Sequence, residues 1–189
     1  FDGGQPYNSP YMDAQLVTNE AVRKMLTISP NVTINLAKGL TFRSQFTYYS
    51  YQRHDYQFWP STRPTFEAIN AGAKAYRCEA DEVNMTNENT LTYKRTIRRL
   101  HNIDFMLGFT VNKYIYHNFA LTGSGYLSDD VRWNNMTAIP DKNNLSPSSA
   151  LNERTRNSVL GRFNYNFKKR YYFTFTSRVD GSSNFAANN

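Results

Sequence analysis

The residues able to do chemistry are few and poorly grouped. His54, His101 and His117 lack the spacing of paired metal ligands, and the single Cys78 rules out an internal disulfide framework or a cysteine-based metal site. Gly123-Ser124-Gly125 reads as a turn, because a nucleophile elbow needs the G-x-S-x-G pattern. Glu79, Asp81 and Glu82 form an acidic cluster without EF-hand spacing, and a calcium site needs six or more oxygens, so solvated loop charge is the favoured reading. The expectation is a non-enzyme with no catalytic residue, no cofactor and no metal.

Binding chemistry is better represented. Tyr56, Phe58, Trp59 and Trp133 fall in stretches read as long loops, where rings stack on sugars or pack against a partner protein. Packing of the loops against each other is the competing explanation. Tyr56, Trp59 and Trp133 are the candidate substrate or partner contacts. Arg43, Arg162, Arg178 and Asp180 lie on the polar parity of alternating runs. They are candidates for lining an aqueous lumen, with pairing across the wall as the structural alternative.

The elements that must position these residues are strands. In residues 158–180 two alternating runs meet at Lys168-Lys169-Arg170. Phe163, Tyr165, Phe167, Tyr171, Phe173 and Phe175 share one face; Arg162, Asn164, Asn166, Thr174, Arg178 and Asp180 share the other. Period-2 alternation marks a strand between two environments. An aromatic face backed by a charged one suits a barrel wall with lipid outside and water inside.

The same pattern recurs upstream. Leu26, Ile28, Val32, Ile34 and Leu36 share a face, with a break expected at Pro30, which cannot donate to a ladder. After Lys38-Gly39, Phe42, Phe46 and Tyr48 alternate with Thr41, Arg43 and Gln45. Residues 89–97 form a weaker strand and turn at Arg98-Arg99; Phe105, Leu107 and Phe109 then alternate with Asp104, Gly108 and Thr110. Residues 1–20, 50–88 and 114–153 read as irregular, with a short helix allowed over Glu67 to Tyr76. The prediction is all-β: a fragment of an antiparallel transmembrane β-barrel, six strands in three hairpins, with short turns at one end and long outer loops at the other.

Composition agrees. The chain has 189 residues with 14 Tyr and 13 Phe, yet mean hydropathy is −0.67. No stretch approaches the roughly 18 apolar residues of a membrane helix, but barrel strands need only about 9–11 residues and average polar. The net charge of +7 raises nucleic-acid binding. The basic residues are scattered or gathered at turns, so no nucleic-acid partner is expected. Both ends read as cut, and no signal peptide is visible.

Several stretches resemble the SusC/RagA family of TonB-dependent outer-membrane transporters, typical of Bacteroidetes. Gly161-Arg162, Asn164-Tyr165 and Lys169-Arg170-Tyr171 are similar to one strand and turn of that family. Arg178, Asp180-Gly181-Ser182-Ser183 and Phe185 are similar to its R-x-DGSS-x-F element. Lys38-Gly39-Leu40-Thr41-Phe42, His101-Asn102 with Leu107-Gly108, and Gly125 to Asp130 resemble further elements, with Leu127 where proline is expected and Lys169 where aspartate is. The resemblance implies a barrel of about 22 strands closed by a plug. Residues 1–189 would be part of that barrel domain, with the plug absent from the fragment. It further implies nutrient import energised by the TonB complex, a SusD-like lipoprotein partner, oligosaccharide or peptide cargo, and contact with outer-membrane lipid. The alternatives are a non-transporting outer-membrane or secreted β-protein such as an adhesin, and a soluble glycan-binding β-domain.

Overall fold

The computed structural model describes residues 10–63 and 71–184. A short helix α1 (Pro10–Leu16) precedes strands β1 (Thr18–Ile28), β2 (Asn31–Ala37), β3 (Leu40–Trp59), β4 (Lys74–Ile97), β5 (His101–Ser124), β6 (Leu145–Phe167) and β7 (Tyr171–Ser182). They form one sheet in the order β1-β3-β4-β5-β6-β7, and β2 also pairs with β3. The sheet is all-β as expected, with seven strands rather than six. The extra strand arises at Pro30: β1 and β2 both lie on β3, and the ladder is interrupted between Ile28 and Asn31. The Pro30 carbonyl still accepts from Phe46 N at 3.0 Å.

Strand length is the main correction. β4 and β5 have 24 residues each and β6 has 23, more than twice the span a bilayer requires. The stretches read as loops at 50–88 and 114–153 shrink accordingly, since β3 continues to Trp59, β4 begins at Lys74, β5 continues to Ser124 and β6 begins at Leu145. The helix allowed over Glu67 to Tyr76 is replaced by strand from Lys74 onward, and residues 64–70 lie outside the described residues. The N-terminal stretch read as loop holds α1 and the start of β1. Polar and apolar residues alternate poorly at these strand ends, so periodicity alone does not reveal them.

The chain divides into two compact units. One contains Leu26–Ser50, Glu82–Ile115 and Asn152 onward. Here the sheet has a polar and an apolar face. Register fixes the faces: Phe163 pairs with Phe175, Tyr165 with Phe173 and Val159 with Val179, while Ser158 pairs with Asp180, Arg162 with Thr176 and Asn164 with Thr174. In the first hairpin Ile34 pairs with Phe42 and Thr33 with Arg43. The apolar face is bare. Ile28, Val32, Ile34, Phe46, Phe105, Leu107, Phe109, Phe173 and Phe175 are all exposed.

The other unit contains the described residues up to Met25, with Tyr51–Asp81 and Tyr116–Leu151. It holds the only clustered core among the described residues: Phe58, Ala73, Ala75, Tyr126, Trp133, Met136 and Ile139.

The chain exposes 13450 Å², against about 9,300 Å² for a compact monomer of this size. Residues 1–189 alone, in detergent-free buffer, should therefore not give a monodisperse monomer with cooperative thermal unfolding. Bare strand edges and an apolar face should drive association instead. Size-exclusion chromatography and calorimetry check this.

Candidate functional site

The polar face of the two-faced unit is a hydrogen-bonded ladder. Arg178 Nε donates to both Asp180 carboxylate oxygens at 2.8 and 2.9 Å, and the Ser158 hydroxyl donates to the same carboxylate. Arg43 donates to Gln45 Oε1 at 2.7 Å, and Gln45 Nε2 to Ser29 Oγ at 3.0 Å. Lys94 pairs with Asp104 at 3.4 Å. Arg43, Glu88, Thr110, Ser158 and Arg178 line one recess of about 230 Å³. Lys94, Asp104, Asn164 and Tyr172 line another of about 520 Å³. Arg43 and Arg178 thus share one recess. Asp180 neutralises Arg178, and Arg162 lies on the same face by register, opposite Thr176. Such a surface offers many polar partners to a bound solute. Among the described residues, no three of His, Cys, Asp and Glu could hold a metal ion. His54 and His101 each meet a tyrosine hydroxyl, Tyr56 at 3.3 Å and Tyr165 at 2.7 Å.

The aromatic candidates belong to the other unit, and two of them sit on strand β3 rather than in a loop. Tyr56 stacks on Trp133 with centroids 5.6 Å apart and planes at 16°. Arg77 lies 5.5 Å from the centre of the Tyr56 ring and pairs with Glu79 at 2.6 Å. This pairing holds the Glu79 carboxyl below its ordinary range. Lys74 sits 5.5 Å from the Trp59 ring centre. Trp133 is 7% exposed, so its ring follows the competing explanation, packing of the loop against its neighbours. The ring finds Tyr56 and the apolar loop residues closer than water, and burial of so large a surface outweighs its solvation. Ala73, also in a stretch read as exposed loop, is fully buried. The acidic cluster is dispersed: Glu79 pairs with Arg77, and Asp81 accepts from Gln52.

Sequence reasoning missed the core under these rings. Phe58 and Tyr126 meet edge-to-face at 6.2 Å, and Ile139 is completely buried. Met136 and Ile139 are too irregularly spaced in the loop to give a periodic signal. Ser61 ties the same region down, its N and Oγ both donating to Asp129.

Tyr126 carries a testable consequence. Its hydroxyl oxygen is buried without a hydrogen-bond partner, and burial pushes its pKa up to about 12. A raised folded pKa stabilises below the unfolded value of about 10. That contribution fades as pH rises toward 12. Tyr126→Phe should abolish this alkaline loosening and be neutral or stabilising by up to about 1 kcal/mol at pH 7, since no hydrogen bond is lost. Trp133 fluorescence during alkaline titration checks it.

Comparison with known proteins extends over nearly the whole chain. It is 31% identical over 189 residues to TonB-dependent receptor P3 of Formosa agariphila, covering 98% of this chain and 18% of that protein. To TonB-dependent receptor P26 of the same organism it is 26% identical over 186 residues, covering 98% of this chain and 19% of the relative. The chain therefore spans about a fifth of the length of the curated relatives it matches. A chain of the RagAB peptide transporter superimposes with a TM-score of 0.84 at 23% identity, covering 95% of this chain and 20% of that one. The RagAB peptide importer in its open-open state gives 0.87 at 22%, covering 100% and 20%. At these identities the structural likeness shows the fold. No family model matches the chain. The resemblance carried by the sequence motifs is borne out by curated homologues that are TonB-dependent receptors.

Proposed function

We propose that this chain is a stretch of barrel wall in a TonB-dependent outer-membrane importer. The observation that carries the reading is the two-faced sheet. Charged residues are paired along one face while Phe105, Leu107, Phe109, Phe173 and Phe175 stand bare on the other. A soluble β-domain would bury that aromatic face; a barrel turns it to lipid. On this reading Arg43, Arg162, Arg178 and Asp180 face a water-filled lumen. All of residues 1–189 belong to one barrel domain, with the plug and the TonB-contacting segment elsewhere in the protein.

The short turns at Lys38-Gly39, Arg98–Leu100 and Lys168–Arg170 belong to one end of their strands and are periplasmic in such barrels. The strand ends opposite those turns, with the connection at 125–144, then face outward, toward cargo and a SusD-like lipoprotein cap. The cargo on this reading is an oligosaccharide or a peptide. Tyr56 and Trp59 both keep partial exposure on β3, but Tyr56 packs against the core cluster and Trp59 does not, which leaves Trp59 the better contact candidate. The protein acts as a transporter and not as an enzyme.

An epitope inserted at exposed Asn143 should be antibody-accessible on whole cells. Trp59→Ala should lower cargo uptake or retention of the cap several-fold while assembly in the outer membrane is unchanged. A tag seen only after permeabilisation would show that the orientation is reversed. Recovery of the protein in the soluble fraction would favour the glycan-binding domain instead.

A further inference from the structure

We propose that the paired basic turns form a collar that binds the phosphate groups of anionic phospholipids in the leaflet facing those turns. This rests on the membrane-wall reading and extends it. The turns at Arg98-Arg99-Leu100 and Lys168-Lys169-Arg170 share one geometry. Leu100 N donates to the Ile97 carbonyl and Arg170 N to the Phe167 carbonyl, at 3.1 and 3.0 Å. Lys168 N donates to the Leu100 carbonyl at 2.8 Å, so the two turns touch. Five cations are thereby gathered in adjoining exposed turns, and no Asp or Glu occurs in residues 90–103 or 161–179.

Backbone conformation makes the choice of residues unusual. Arg98, Arg99, Lys168 and Lys169 all have left-handed φ, between 51° and 56°. Tight turns with two such positions normally use Asn-Gly, because a side chain there is sterically disfavoured. Here four positions carry long cationic side chains despite that penalty. Mutual repulsion adds to the cost unless an anion lies between them.

Aromatic residues set the depth. Tyr171 and Phe173 are exposed on the apolar face, Arg95 donates to the Tyr93 hydroxyl at 3.2 Å, and the Lys168 ammonium lies 5.2 Å from the Phe167 ring centre. Rings of this kind mark the membrane–water interface of barrels. Lys169 is two residues before Tyr171, at most about 7 Å away even at full extension. The headgroup layer is roughly 5–7 Å thick per leaflet. The cations therefore fall at phosphate depth, where each basic residue contributes to attraction by anionic lipid.

The test uses the whole protein in nanodiscs of mixed phosphatidylglycerol and phosphatidylcholine, with retained lipid counted by mass spectrometry. The wild type should enrich phosphatidylglycerol at least about tenfold, and high salt should weaken the enrichment. Replacing Arg98, Arg99, Lys168, Lys169 and Arg170 with Gln should abolish the preference while heat-modifiable barrel mobility persists. If that variant fails to assemble, Arg98→Asn with Arg99→Gly and Lys168→Asn with Lys169→Gly supply favoured turn residues and remove four charges. Unchanged enrichment in an assembled variant overturns the proposal, as does loss of the lipid to millimolar inorganic phosphate. A wild type that never enters bilayers contradicts the membrane-wall reading itself, whereas insertion without lipid preference contradicts only the collar.

Discussion

Gly39→Ala should cripple assembly of the protein in the outer membrane. Gly39 has a φ of +84°, and a Cβ added there would stand 2.1 Å from the backbone oxygen of Lys94. No side-chain rotation relieves contact between a Cβ and a main-chain atom. The left-handed conformation costs about 1–2 kcal/mol for a non-glycine residue. The displaced backbone would also lose the bond from Lys94 N to the Gly39 carbonyl, 2.7 Å long, for about 1 kcal/mol more. The sum, roughly 2–3 kcal/mol before any wider shift, is a large part of a protein's net stability. It falls where the first hairpin joins β4. Heat-modifiable mobility of outer-membrane preparations should show a sharp fall in folded protein. Lys38→Ala, beside it and exposed, should behave as wild type.

Ile139→Ala should release the connection between β5 and β6. Ile139 has no exposed surface and belongs to the cluster with Phe58, Tyr126 and Trp133. Truncating a buried Ile to Ala costs about 2–5 kcal/mol. This core is small, so the loss should open it locally rather than unfold the sheet. Limited proteolysis should then cut within residues 125–144 at least about tenfold faster than in wild type, and Trp133 emission should shift to the red. Barrel mobility should be unaffected. Equal proteolysis rates would show that the loop is held by something other than this cluster.

The parts legible in the sequence are those where one face differs from the other. Alternation of Phe163, Tyr165 and Phe167 with Arg162, Asn164 and Asn166 marks the two faces of β6 and its turn into β7, and Pro30 marks the interruption between β1 and β2. Lys38-Gly39, Arg98-Arg99 and Lys168-Lys169 were visible as turns because basic pairs and glycine punctuate the runs. The strand extensions were not legible. Around Cys78, β4 carries Arg77 and Glu79 on one side and half-apolar neighbours on the other, so periodicity fades while hydrogen bonding continues. Arg77 and Glu79 satisfy each other across one strand face, which a charge tally reads as solvated loop. The polar candidates meet along and across strands of one face, Arg178 with Asp180 two residues on in β7 and with Ser158 on β6, and parity alone groups them. Burial of Trp133 depends on Met136 and Ile139 arriving from a nonperiodic loop, and no spacing rule foretells that meeting.

The central claim is that the bare aromatic face meets lipid and the paired polar face meets water. Single cysteines at Phe105, Phe175, Arg162 and Asn164, introduced in a Cys78→Ala background and probed in intact outer membranes, test it most directly. Cysteines at Arg162 and Asn164 should react with a small water-soluble maleimide, and those at Phe105 and Phe175 should react only after detergent extraction. Free reaction at Phe105 and Phe175 in membranes, with protection at Arg162 and Asn164, would contradict the account.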